Sequence, residues 1–97
     1  MNIWTLGDAV VDLLPLSDMQ YQACAGGAPF NVAIGAARLG CQSGFIGRVG
    51  EDDFGYFLKK TLSDAGVSTE SLQSDNQHRT STVLVSLAAL ASVDLRF

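Results

Sequence analysis

Residues 26–40 read GGAPFNVAIGAARLG, and this stretch decides the fold. Pro29 suits the first turn of a helix, because a proline there gives up only an N–H that would be unpaired anyway. Gly40 stands where a helix ends on a left-handed residue. Between them Phe30, Val32, Ala33, Ile34, Ala36, Ala37 and Leu39 fall on nearly every face, a pattern that predicts a helix buried all round. Its interior polar residues are Asn31 and Arg38. A buried primary amide left unpaired would cost about 1–3 kcal/mol, so Asn31 is expected to meet a partner. Gly26 and Gly27 let the backbone approach a ligand closely, and the free N–H groups of the first helical turn face the same way. Asp12, on an otherwise apolar segment, is a second polar group in want of a partner. The plain structural alternative is a Gly-Gly turn, an Asn31 bonded to a loop carbonyl and an Asp12 on the wet face of a strand. Composition leaves both open.

Outward from this helix, the pattern is strand, helix, strand, helix, strand. Ile3–Leu6 is a short apolar run ending at Gly7-Asp8 and predicts a buried first strand. Val10–Leu16 predicts a second, broken by Pro15, and residues 17–25 allow one or two short strands. After Gly40, Ser43–Val49 predicts another strand. Glu51-Asp52-Asp53 then offers a cap and negative charge at the positive end of a second helix. Phe54, Phe57, Leu58, Leu62 and Ala65 recur with helical spacing and mark its buried face. Gly66 ends it, a short strand is expected within Val67–Leu72, and Thr80–Leu87 is rich in β-branched residues. Right-handed parallel βαβ units follow from this order.

With 97 residues, 47% hydrophobic and 16% charged, the chain has room for one small packed domain and does not have a disordered composition. A net charge of −4 with scattered basic residues gives no footprint for nucleic acid or an anionic membrane. The apolar N-terminus lacks a leading Lys or Arg and contains Asp8 and Asp12, unlike a secretory signal, and no apolar run is long enough to span a bilayer. The expected compartment is the cytoplasm. Cys24 and Cys41 lack metal or redox spacing and are expected to be buried free thiols. His78, in SDNQHRT, reads as a loop residue.

GGAPFNVA, followed by six residues to Gly40 and nine more to Gly50, resembles the N-terminal signature of the ribokinase-like (phosphofructokinase-B type) sugar kinases. LGDAVVDLLP, AARLG, FIGRVGEDDFG and RTSTVLV resemble that family in the same order, so the likeness covers residues 1–87. Within the family it is greatest to bacterial fructokinases and aminoimidazole riboside kinases. The resemblance implies an α/β fold, the N-terminal part of a three-layer α/β/α sandwich with β-lid strands drawn from Val10–Ala25 and Thr80–Leu87. It implies ATP-dependent phosphorylation of a sugar hydroxyl. It also implies that Asp12 and Asn31 hydrogen-bond sugar hydroxyls while Gly26 and Gly27 let the backbone close on the sugar. Asp8 matches a less specific position and ranks below Asp12. The expected small-molecule partner is fructose or a related ketose or riboside, and lid strands in such kinases often pair into homodimers.

In that family the catalytic Asp lies in a GAGD-type motif far downstream, followed by the nucleotide-binding loops. Neither is identifiable here, so no catalytic residue and no ATP or Mg site is assigned to this chain, although the full-length family uses both. Gly50–Gly55 is no substitute, since its three acidic residues would repel phosphate. Residues 88–97, AALASVDLRF, depart from the family's Gly-Glu-Arg-x-Phe continuation. Permitted codons for Leu90–Phe97, read in a shifted frame, encode Gly-Glu-Arg-Arg-Phe. The expectation is a frameshift near residues 87–90 and a truncated, inactive chain. Partial coverage of an apolar helix and an open sheet edge also predict marginal stability and self-association, which a sharp, concentration-independent melt would contradict. Two other function classes compete with this reading: a non-catalytic sugar- or partner-binding module, and a dinucleotide-binding oxidoreductase. The second suffers because the first strand leads into GDAVVD rather than GxGxxG.

Overall fold

A computed structural model of the chain describes residues 1–86. Leu87, the end of the last expected strand, and the atypical segment 88–97 lie outside the described residues. The elements in chain order are β1 (Asn2–Leu6), β2 (Val10–Ser17), β3 (Gln20–Gly26), α1 (Ala28–Arg38), β4 (Gln42–Gly50), α2 (Asp53–Asp64), β5 (Val67–Ser68), β6 (Leu72–Asp75) and β7 (Thr82–Leu84).

Two sheets form. In the first, β4 is central and parallel to all its neighbours: β1 runs along Gln42–Ile46, β5 meets Ser43 and Gly44, and β6 continues from Gly47 to Gly50. In the second, β2 lies between β3, antiparallel to it, and β7, parallel to it. One core joins them. Alternate residues of β4, Phe45 and Val49, meet Phe30 and Ala33 of α1, Leu58 and Leu62 of α2, and Val11 of β2. The Phe30 and Phe45 rings meet edge to face with centroids 5.7 Å apart, the arrangement the ring quadrupole favours. The parallel βαβ order is as expected, and the second sheet is built from the segments expected to supply lid strands.

Several expectations need correction. Helix α1 is not buried all round: Phe30, Ala33 and Ala36 are buried, but Val32 is 56% exposed, Leu39 is 86% exposed and Asn31 is exposed. The described elements cover one side of α1 only, and its other apolar face is left to solvent. Strand β1 is likewise one-sided, with Ile3 and Thr5 partly covered and Trp4 and Leu6 exposed. Phe57 is exposed because its position on α2 lies off the stripe of Leu58 and Leu62. Pro15 does not break β2. Regular pairing nevertheless stops there: the ladder to β7 ends with the Val85 N–H on the Leu13 carbonyl, the next bond needing an N–H that Pro15 lacks, and the register against β3 shifts between Pro15 and Ser17. The strand expected within Val67–Leu72 is two short strands, β5 and β6. Cys24 and Cys41 are free thiols, but only partly buried.

The helix boundaries match their sequence signals. Gly40 has φ +90°, the left-handed conformation wanted after α1. Asp52 caps α2, accepting the Gly55 N–H at 2.7 Å.

Candidate functional site

The β2–β3 hairpin delivers the chain to the start of α1, and this junction brings the sequence-selected residues to one region. Asp12 sits in the middle of the second sheet, in register with Cys24 on β3 and Val83 on β7. Gly26 ends β3 beside it: a Cβ there would stand 2.5 Å from Asp12 Oδ2 and 3.4 Å from Val10 Cγ2. Gly27 precedes α1 with φ 106° and ψ 130°, a conformation that L side chains rarely adopt, and a Cβ on it would run into the Asp8 carbonyl oxygen. Gly27 is thus required by the backbone turn, whereas Gly26 leaves room for the neighbouring carboxylate.

Asn31 lies one helical turn beyond Gly27 and donates its N–H to the Gly27 carbonyl at 3.0 Å. No side chain caps this end of α1, and no acidic residue occupies its first turn. The first N–H groups and the positive end of the helix dipole therefore remain available to a ligand oxygen. The helix start is pinned from behind: Thr5 Oγ1 donates to the Pro29 carbonyl at 2.8 Å, and Ser43 Oγ donates to the Ala33 carbonyl at 2.7 Å.

The amide of Asn31 is not the buried group expected from sequence. It is exposed, and Asp12 is only partly buried, so neither is forced to find a protein partner. Among the described residues neither side chain is hydrogen-bonded, and no direct bond joins them.

A second polar centre escaped sequence reasoning. Asp52 accepts from Gly55 N–H and also from both the hydroxyl and the N–H of Thr80. The Thr80 hydroxyl, its N–H and the Gly55 N–H hold the Asp52 carboxyl below its ordinary range, with a smaller contribution from Arg79 and against some desolvation. Asp75 is lowered too, by the Gln77 N–H first and then by the His78 ring, whose Nδ1 lies 2.9 Å from Oδ2. The cap itself was legible at Asp52. Thr80, 28 residues further on, gives no local sign that it belongs there.

A cleft of about 770 Å³ lies between the β4–α2 turn and the β6–β7 loop, lined by Glu51, Asp52, Asp53, Asp75, His78 and Arg79 among others. Its carboxylates outnumber its cations. Among the described residues, no group of three or more His, Cys, Asp or Glu side chains is arranged to hold a metal ion, and no helix is long and apolar enough to cross a membrane.

The family model for pfkB family carbohydrate kinases matches residues 2–94. The chain belongs to this family. It is 61% identical over 86 residues to a fructokinase of Escherichia coli, covering 89% of this chain and 28% of that protein. It is 42% identical over 88 residues to an aminoimidazole riboside kinase of Salmonella typhimurium, covering 91% of this chain and 28% of the other. Among solved structures, the fructose-, ADP- and calcium-bound fructokinase of Vibrio cholerae superposes with a TM-score of 0.83 at 52% identity, covering 90% of this chain and 28% of that one. The chain thus spans about 28% of the length of these relatives. The described residues of this pfkB-family chain do not fit a metal–nucleotide group. The carboxylate-rich cleft would repel phosphate, and the uncapped start of α1 lies with Asp12 and the glycines.

Proposed function

We propose that this chain supplies the sugar-recognising half of an ATP-dependent carbohydrate kinase, with fructose as the lead substrate and a related ketose or riboside as its class. The observation that carries it is the meeting, at the junction of β3 and α1, of the unbonded Asp12 carboxylate, an uncapped helix start and two glycines whose backbone carries no side chain. A sugar presents adjacent hydroxyls that each donate and accept. The Asp12 carboxylate would accept two such bonds, the Asn31 amide would accept one and donate another, and the backbone at Gly26 and Gly27 would approach the ring. Asp8 is subordinate, since its carbonyl packs at the Gly27 turn.

Among the described residues no base is aimed at an attacking hydroxyl and no donors are arranged for a transferring phosphoryl group. We therefore assign the described residues binding without turnover of ATP. A cytoplasmic setting and pairing of two copies through the lid-like sheet, where β3 is an edge strand, belong to the same proposal.

The test is a fructose titration of the chain followed by amide chemical shifts. Saturable shifts confined to the Asp12, Gly26–Gly27 and Asn31 region are expected. Asp12→Asn should weaken binding about 10- to 100-fold, the value of a charge-assisted hydrogen bond. Shifts that never saturate, or equal affinity in Asp12→Asn and Asn31→Ala, would sink the proposal. Measurable ATP turnover dependent on fructose would overturn the assignment of binding alone.

A further inference from the structure

Thr80 is buried although its neighbours in the β6–β7 loop are exposed, and all its hydrogen-bonding capacity apart from its carbonyl is directed at the β4–α2 turn. Its hydroxyl donates to Asp52 Oδ1 at 2.6 Å and accepts from the Gly50 N–H at 2.9 Å, while its own N–H donates to Asp52 Oδ2 at 2.8 Å. Capping α2 requires only the bond from Gly55 to Asp52. The other three bonds join the turn to a segment distant in sequence. The turn is shaped to admit that segment: a Cβ at Gly50 would stand 2.5 Å from the Thr80 nitrogen, and one at Gly55 would lie 2.9 Å from its hydroxyl and collide with the Gly50 carbonyl.

One residue past Thr80 the chain reaches the strand beside Asp12. The Ser81 carbonyl accepts the Val11 N–H at 3.0 Å, and Thr82 and Val83 then pair with Val11 and Asp12. Strand β7 has no burial of its own to define its pairing, because Thr82, Val83 and Leu84 are all exposed. Register is weakly specified in a strand without a buried face, and a slip by one residue would turn every side chain over. A fixed point at the strand's entrance removes that freedom.

We infer that Asp52 and Thr80 form an anchor that sets the register of β7 on β2 and so holds Asp12 in place for the sugar. They are positioning residues acting through Ser81 and Val11. The last step rests on the sugar site proposed above, whereas the anchoring of β7 does not.

Amide hydrogen exchange on the full chain, with and without fructose, separates the two. Thr80→Val keeps the side-chain shape but removes the hydroxyl. It should accelerate exchange at Val11 about tenfold while Leu58 and Leu62 in α2 stay within about twofold of the parent. It should also weaken fructose binding about tenfold. Thr80→Ser should restore both. Asp52→Asn retains Oδ1 for the Gly55 cap but turns a donor toward the Thr80 N–H. It should loosen Val11 selectively, and it decides the matter if Thr80→Val does not fold. Unchanged exchange at Val11, or acceleration of Val11, Leu58 and Leu62 together, would overturn the anchor. A parent chain that ignores fructose, combined with selective loosening of Val11, would remove the sugar site and leave the anchor of β7 standing.

Discussion

The α-carbon of Gly26 lies beside the carboxylate of Asp12, so close that a single methyl group added to it would stand 2.5 Å from Oδ2. Strand β3 thereby reserves the space around the one charged side chain at the centre of its neighbour. Gly26→Ala should push the Asp12 carboxylate aside and weaken fructose binding about tenfold. Because that carboxylate ends a short side chain able to rotate, the loss of stability should be no more than about 1 kcal/mol. Parallel fructose titration and urea unfolding of the variant check both halves. Binding equal to the parent would mean that Asp12 does not need this space.

Gly27→Ala should behave differently. The obstacle there is the Asp8 backbone carbonyl, and the φ of 106° is disfavoured for any L side chain. A cost of about 1–3 kcal/mol is expected, visible as a lowered denaturation midpoint. A variant as stable as the parent would show that the turn can relax to a negative φ.

Acid should weaken the fold through Asp52 and Asp75. Both carboxyl groups are held below their ordinary values by hydrogen bonds, so each binds its proton more weakly folded than unfolded. Their contribution is present above the unfolded carboxylate pKa and is lost as pH falls through the lower, folded one. Denaturant midpoints should therefore decline on acidification below about pH 4, and the decline should be shallower in Asp52→Asn. An unchanged slope in that variant would contradict the assignment.

Core and surface positions of the two helices should separate cleanly. Leu58→Ala, at a fully buried position on α2, should cost about 2–5 kcal/mol. Val32→Ala, on the uncovered side of α1, should stay within about 0.5 kcal/mol. Urea midpoints measured side by side decide this. A large loss at Val32 would mean that something covers that face in solution.

The elements themselves were legible because their signals are local. Pro29 and Gly40 bracket α1, Asp52 caps α2, and the spacing of Leu58 and Leu62 marks a buried stripe within one helix. The resemblance carried by GGAPFNVA was equally readable, since it depends on residue types at fixed intervals. Burial was not local. Asn31, Val32 and Leu39 are apolar neighbours or members of an apolar run, yet they face solvent because no other described element packs on that side of α1. A periodicity can name the face that would be buried, but packing partners from elsewhere in the chain decide whether it is.

Residue types and spacing by themselves determined the order of strands and helices, the glycine pair before α1 and the family. Tertiary structure alone decided that Gly26 sits against Asp12, that pairing with β7 stops just short of Pro15, and that Thr80 belongs with Asp52. The physical reason is separation along the chain. Caps, turns and helical stripes are settled within a few residues, whereas the Asp52–Thr80 contact exists only after two βα units and a second sheet have folded residues 28 positions apart onto one hydroxyl.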